Sequence, residues 1–329
     1  MPMLSLDDAH ALVSAALRRN GANEANAASV ARALVGAEAD GLKGHGLSRV
    51  PTYCGQLRSK KALGDVAPVL SRPRPGALVI DAAHGFAYPA LDLAIEVLPE
   101  AARVQGIAAA SIFRSHHCGA AGRPVEALAD AGLVALLFAN TPAAMAPWGG
   151  SKAVFGTDPI AFACPLAGKP PIVVDLSLSK VARGNILAAK QRGEAIPGDW
   201  AFDSEGRPTT DPDAALAGTM APMGEAKGVA LALMVELLAA GLTGANYAAD
   251  ASSFLDDKGG PPSTGQLIVA IDPEAFSSGA PERFATLAAS IEAQDGARLP
   301  GARRLALRQT AARDGLKVSD QIISQIEAA

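Results

Sequence analysis

Six short apolar runs in the middle of the chain, "ALVIDA", "IAAASIF", "VALLFAN", "AFACPL", "PIVVDLS" and "GQLIVAID", constrain its fold more than any other feature. Each is bounded by glycine, proline or aspartate and is too short for a stable helix, which is how buried strands look. Between them lie helical candidates: "PALDLAIEVLPEAARVQG", "GRPVEALADAG", "SKVARGNILAAKQRG" and "KGVALALMVELLAAGL". Strands and helices share this middle portion, so it is expected to be an α/β or α+β domain.

The two ends read differently. "SLDDAHALVSAALRRNG" has the form of a capped helix, with Ser5 as N-cap, Asp8 at the third position and Gly21 as the stop. "NEANAASVARALVGAEADG" repeats the pattern with Asn23 and Gly41, and a third helical piece follows Pro51 before Pro68 and the "SRPRPG" turn open a new region. After "AIDPEAFSSG" the chain is helical again, through "PERFATLAASIEAQDG" and "DGLKVSDQIISQIEAA". The expected organisation is a mainly helical domain of residues 1–72 plus 287–329 beside a sheet domain of residues 73–286, with a cleft between them. A chain of 329 residues is long enough for either one large core or two ordinary ones. Hydrophobic residues make up 49% of it and aromatics only 4%, so the core is expected to consist of many small side chains.

Several function classes are disfavoured. The net charge of -4 is modest and mixed in sign, giving no electrostatic footprint for nucleic acid or an acidic membrane. Cys54, Cys118 and Cys164 are far apart and match no paired-cysteine metal spacing, and no metal site is expected. The N-terminus has acidic residues where a signal peptide needs basic ones, and the longest apolar stretch is interrupted by Glu236. A soluble, cytoplasmic protein is expected. No G-x-G-x-x-G follows an early strand and no G-x-x-x-x-G-K-[ST] occurs, which disfavours a Rossmann domain and a P-loop ATPase.

Chemistry concentrates in a few stretches. In "GHGLSR", His45 stands between Gly44 and Gly46 with Arg49 four residues on. A histidine exchanges protons near neutral pH and a guanidinium grips a carboxylate through two parallel bonds, so the pair suits a small carboxylated substrate. A helix-end histidine bonded to a carbonyl, with a surface arginine, fits the same spacing. "FRSHHCGAAG" puts His116 and His117 after a strand, followed by small residues that admit close approach of a phosphate or nicotinamide; ordinary loop histidines also fit. Scattered candidates are Thr157 and Asp158, Asp175 with Ser177 and Arg183, Lys227, and the basic cluster Arg298, Arg303 and Arg304.

Taken together, "GHGLSRVPTY", "FRSHHCGAAGRPVEALADAGLVALLFANTPAAMAPWGG", "FGTDPIAFACP", "VVDLSLSKVARG", "IPGDWAFDSEGRPTTDP", "GEAKGVALALMVELLAAGLTG" and "RLPGARR" resemble the malate/L-lactate dehydrogenase-like oxidoreductases over nearly the whole chain. This family is distinct from the Rossmann-type lactate and malate dehydrogenases. The resemblance implies a homodimer, a central NAD(P)-binding sheet domain that is not a Rossmann fold, and hydride transfer at the carbon next to a carboxylate. It matches His45 to the proton-donating histidine, Arg49 to the carboxylate-binding arginine and Thr157 to a substrate-side threonine. It assigns cofactor contacts to His116, His117, Cys118, Gly119, Ala120 and Ala121, to Asp175, Leu176, Ser177 and Arg183, to Lys227 and Gly228, and to Arg298, Arg303 and Arg304.

The "RSHH" form is similar to the Δ1-piperideine-2-carboxylate/Δ1-pyrroline-2-carboxylate reductases, which implies NADPH as donor, with NADH the alternative. A 2-hydroxy acid dehydrogenase and a catalytically weak dinucleotide-binding homologue are the competing expectations. Two positions depart from the imine reductases, where a serine precedes the catalytic histidine and an aspartate follows the "ARG" segment. Here those positions are Gly44 and Asn185, so the usual hydroxyl and carboxylate that support the histidine are missing. Glycines on both sides of His45 are expected where substrate and nicotinamide crowd the backbone.

Overall fold

The computed structural model describes residues 3–329. The chain enters through β1 (Met3–Leu4) and the helices α1 (Leu6–Arg19) and α2 (Glu24–Ala39). Both predicted caps form: Ser5 Oγ accepts the Asp8 N–H at 3.0 Å and Asn23 Oδ1 accepts the Asn26 N–H at 2.8 Å. Two short 3₁₀ turns, Lys43–His45 and Leu47–Arg49, lead into α3 (Val50–Arg58), which carries Pro51 in its first turn. Then follow β2 (Val69–Arg74), β3 (Ala77–Asp81), α4 (Ala87–Gln105), β4 (Ile107–Ser115), α5 (Gly122–Asp130), β5 (Val134–Ala139), β6 (Ile160–Leu166) and β7 (Lys169–Leu176). Next come α6 (Arg183–Arg192), β8 (Ala201–Phe202), α7 (Pro212–Ala217), β9 (Thr219–Met220) and α8 (Ala226–Glu236), which widens into a π-helical turn over Leu237–Gly241. The chain finishes with β10 (Thr264–Ile271), α9 (Ala280–Glu292), α10 (Ala302–Asp314), β11 (Leu316–Lys317) and α11 (Asp320–Ala328).

The central sheet has seven strands in the order β2-β3-β4-β10-β5-β6-β7. β3 and β4 pair in parallel and every other neighbouring pair is antiparallel. A doubly wound dinucleotide fold needs a mostly parallel sheet, so this is a different α/β architecture, in keeping with the missing glycine fingerprint. All six apolar runs are strands, and the last of them, β10, sits at the centre between β4 and β5. That insertion buries β10 on both faces, which is why "GQLIVAID" reads as a continuous apolar run.

Two stretches fold differently from their reading. "SRPRPG" was expected as a turn, yet Pro73 lies in β2, the edge strand, where a missing N–H costs no ladder bond. "RLPGARR" leads into a helix, α10, that the apolar pattern does not announce because Ala311 is its one buried residue. Arginines hold α10 in place. Arg308 reaches both Asp40 at the end of α2 and Glu126 on α5, at 2.7 Å each.

Pairing of Met3 with Lys317 and Leu4 with Leu316 in β1 and β11 joins the two ends of the chain. One large apolar core runs continuously from α1, α2 and α3 through α4 and α5 to one face of the sheet, and a smaller one lies on the other face beneath α6 and α8. Alanines are frequent in both, and their small volume lets helix backbones approach the sheet closely.

Candidate active site

His45 ends the first 3₁₀ turn, and its ring stacks on His117 with centroids 5.1 Å apart and planes 20° apart. Burial first, and then the positive charges of Arg49 and Arg304 against the opposing Asp175, hold His45 down at about 4. It is neutral at pH 7. Its Nδ1 is buried without a partner, so Asn185, exposed on α6, does not reach it. Arg49 does not continue an α-helical turn from His45: its Nε donates to the Gly44 carbonyl at 2.7 Å, folding the guanidinium back beside the histidine. Protein atoms crowd one of the two glycines. A Cβ on Gly46 would overlap the Glu38 carboxylate of α2, whereas a Cβ on Gly44 would meet nothing within 4 Å. The protein itself, not a ligand, fills the space at Gly46.

Behind His45 lies an aromatic box whose members sequence reading missed apart from the histidines. His116 is buried with neither ring nitrogen paired, packed edge-on against Phe86 at 5.3 Å and Tyr53 at 5.8 Å and tilted against Phe254 at 5.3 Å. Burial pushes it down to about 3 and holds His117 well below its ordinary value. His117 Nδ1 shares a 2.7 Å hydrogen bond with the Tyr53 hydroxyl, which also meets the Tyr88 hydroxyl at 3.1 Å. Phe254 caps both histidines from a loop that α3 anchors: Gln56 Nε2 donates to the Asp256 carbonyl at 2.9 Å. Lys61, 0% exposed, donates to the Lys258 carbonyl at 2.6 Å and pairs with Asp256 at 3.2 Å. Nothing in the local pattern of "DASSFLDDKG" signals this role.

Thr157 and Asp158 precede β6. The Thr157 N–H donates to Thr141 Oγ1 at 2.8 Å and the two hydroxyls lie 3.3 Å apart. Asp158 is fully buried at φ 39° beside Glu236, the last residue of α8 before the π turn, and Asp158 Oδ2 and Glu236 Oε1 are both buried without a hydrogen-bond partner among the described residues. Burial and the neighbouring carboxyl hold Asp158 well above the usual carboxylate range; Glu236 is raised too, by burial. Two buried carboxyls in contact cannot both ionise, so the pair holds a proton.

A second cluster surrounds Asp175 at the end of β7. Its Oδ2 accepts the Gly122 N–H at 3.0 Å and the Arg304 Nη1 at 3.2 Å, while Arg304 Nη2 donates to the Asp175 carbonyl. Gly122 is required there, since a Cβ would lie 2.9 Å from that of Asp175. Small residues Gly119 to Ala121 thus bring the start of α5 against Asp175 and α10. Beside them opens a cavity of about 310 Å³ lined by Asp40, Leu42, Arg298, Arg303, Arg304 and Leu307, with Arg298 and Arg303 exposed. Leu176 and Ser177 follow Asp175, and Ser177 Oγ bonds to Ser179 Oγ at 2.6 Å. Arg183 donates to the Leu216 carbonyl at 3.3 Å, Lys227 stands exposed in the first turn of α8, and a Cβ on Gly228 would overlap the Met223 carbonyl. No hydrogen bond links these last three to the histidines.

The mixed, mostly antiparallel sheet thus carries a buried histidine cluster with Arg49 folded back beside it. The malate/L-lactate dehydrogenase family model matches residues 4–327, and the chain belongs to that family of oxidoreductases. It is 50% identical over 99% of its length to a (2R)-3-sulfolactate dehydrogenase (NADP(+)) from Chromohalobacter salexigens, covering 97% of that protein. It is 40% identical over its full length to a Δ1-pyrroline-2-carboxylate/Δ1-piperideine-2-carboxylate reductase from Pseudomonas aeruginosa, covering 99% of it. The crystal structure of Δ1-piperideine-2-carboxylate reductase from Pseudomonas syringae superposes with a TM-score of 0.94 at 34% identity, over 100% of this chain and 99% of that one.

Proposed function

We propose that this protein reduces cyclic 2-imino acids, Δ1-pyrroline-2-carboxylate to L-proline and Δ1-piperideine-2-carboxylate to L-pipecolate, with NADPH as hydride donor. The observation that carries this is the state of His45: a neutral ring with an unpartnered Nδ1. Reducing a keto acid, or oxidising a hydroxy acid, requires a proton to move at oxygen in step with the hydride, and an imidazole without an orienting partner does that poorly. A cyclic imine can arrive already protonated, so hydride attack at C2 gives the amine directly. Arg49 holds the substrate carboxylate, Thr157 orients it, and His45 steadies the N–H at the imine nitrogen.

The small-residue segment Cys118 to Ala121, Asp175 to Ser177 and the Arg298–Arg304 segment form the cofactor side, and the basic cavity suits the cofactor's phosphates. Arg183, Lys227 and Gly228 extend it along α6 and α8. When bound, NADPH supplies the hydride; the protein supplies position and charge. The working unit is a homodimer. Leu233 on α8, Leu237 in its π turn, and Leu242 and Tyr247 just after it are large apolar side chains left exposed, of the kind that marks an interface.

A second reading, oxidation of a 3-sulfolactate-like hydroxy acid, draws on the relative at 50% identity. A substrate with a second anionic group calls for a second cation; Lys61 and Arg304 are already paired with Asp256 and Asp175, and Arg298 and Arg303, unpaired among the described residues, are the ones assigned above to the cofactor. The test is NADPH consumption with Δ1-pyrroline-2-carboxylate, 3-sulfopyruvate, pyruvate and oxaloacetate at equal concentration. Fast turnover of the imine alone is expected; turnover of 3-sulfopyruvate alone would return the protein to the hydroxy acid dehydrogenases.

A further inference from the structure

The Tyr53 hydroxyl is fully buried and has two neighbours, His117 Nδ1 at 2.7 Å and the Tyr88 hydroxyl at 3.1 Å. Burial keeps both phenols protonated, pushing Tyr53 up to about 12 and Tyr88 well above its ordinary value. Two proton arrangements fit these distances. In the first, Tyr88 donates to Tyr53 and Tyr53 donates to His117 Nδ1, so each hydroxyl proton has an acceptor. In the second, His117 donates from Nδ1 to Tyr53 and one phenol proton is stranded: that of Tyr88 if Tyr53 donates to it, or that of Tyr53 if Tyr88 donates instead. Gly119, in the left-handed region at φ 70°, lies against the Tyr88 hydroxyl and has no side chain to accept the proton: a Cβ there would lie 2.7 Å from the Tyr88 oxygen. A stranded buried hydroxyl proton costs the full desolvation of that group, whereas a neutral imidazole accepts its proton on either nitrogen. The first arrangement therefore wins.

We infer that Tyr88 and Tyr53 lock His117 as the neutral tautomer protonated on Nε2, making it a fixed hydrogen-bond donor toward the substrate carboxylate. His117 Nδ1 is satisfied within the protein, which leaves Nε2, on a ring stacked against His45, as the atom available to a ligand. The two histidines thereby divide the work. His117 cannot take up a proton at Nε2, and His45, with no partner at Nδ1, is not fixed in either tautomer. Tyr53 is a positioning residue that acts through His117. The identity of the acceptor as a substrate carboxylate rests on the function proposed above; the tautomer does not.

Long-range proton–nitrogen correlation spectra of the uniformly ¹⁵N-labelled full chain at neutral pH test this, with His117 assigned by comparison with His117→Asn. Expected is a bare Nδ1 and a protonated Nε2 on His117, lost or mixed in Tyr53→Phe and weakened in Tyr88→Phe. A wild-type His117 protonated on Nδ1 overturns the tautomer, whatever the substrate proves to be. In kinetics, Tyr53→Phe should raise the KM for the imine about tenfold or more while leaving NADPH affinity unchanged, as loss of a donor to a charged group does. An unchanged KM overturns the donor role even where the tautomer is as inferred. Tyr88→Phe, one step further from the ligand, should show a smaller rise in the same direction.

Discussion

Arg49 and the glycines beside His45 make separate, checkable claims. Replacing Arg49 by methionine leaves a substrate carboxylate without its partner, a loss of about 2–5 kcal/mol in comparable charge pairs, or roughly 30-fold and upward in KM. Steady-state kinetics on the imine measures it, and an unchanged KM would remove Arg49 from the site. The glycines should respond in opposite ways. Gly44→Ser is expected to leave the melting temperature unchanged because its Cβ enters open space, whereas Gly46→Ala forces the Glu38 carboxylate aside and should cost about 1–3 kcal/mol. Equal thermal shifts for the two would contradict the packing described for α2. Sequence alone shows two glycines and a histidine; it does not show that one is fixed by a neighbouring helix and the other by nothing.

At the scale of elements, the six apolar strands and the capped helices are legible because each carries its own signal: a short apolar run, a cap, a glycine stop. The aromatic box is not. Tyr53 on α3, Tyr88 on α4, His117 after β4 and Phe254 before β10 come from four distant segments, and only the insertion of β10 beside β4 brings them together. The Asp158–Glu236 pair is hidden for the same reason, one partner reading as a turn residue before a proline and the other as a helix interruption.

That pair has a pH signature. The groups around it are the Asn140 amide and the N–H groups of Thr141, Gly156 and Ala248, with no cation among them. Both carboxyls are raised in the fold. Their stabilising contribution is therefore complete below the ordinary carboxylate range, near pH 4, and is lost as pH rises through the folded values. Asp158→Asn replaces the shared proton by a permanent amide donor. Denaturant unfolding from about pH 5 to pH 9 should show wild-type stability falling more steeply than that of the variant, and parallel curves would mean that no proton is shared.

At the scale of the molecule, α3 and the loop that carries Phe254 form one unit with the site. Lys61→Met removes the buried ammonium that fastens this loop and should increase hydrogen exchange across residues 253–260 while sparing the central strands. The exposed leucines of α8 and its π turn belong to the same scale. Leu233→Glu with Leu237→Glu should convert a dimer to a monomer in sedimentation, and a wild-type chain that already sediments as a monomer would remove the dimer from the account.

Hydride delivery to an imine that is already protonated can be read from His45→Gln assayed across pH on both Δ1-pyrroline-2-carboxylate and a keto acid. Imine reduction should fall by less than ~100-fold, the lower end of what a general acid supplies, with an alkaline limb that tracks the separately titrated pKa of the imine itself. A fall of several thousand-fold on the imine, together with loss of that limb, would show that His45 delivers the proton and would contradict the account.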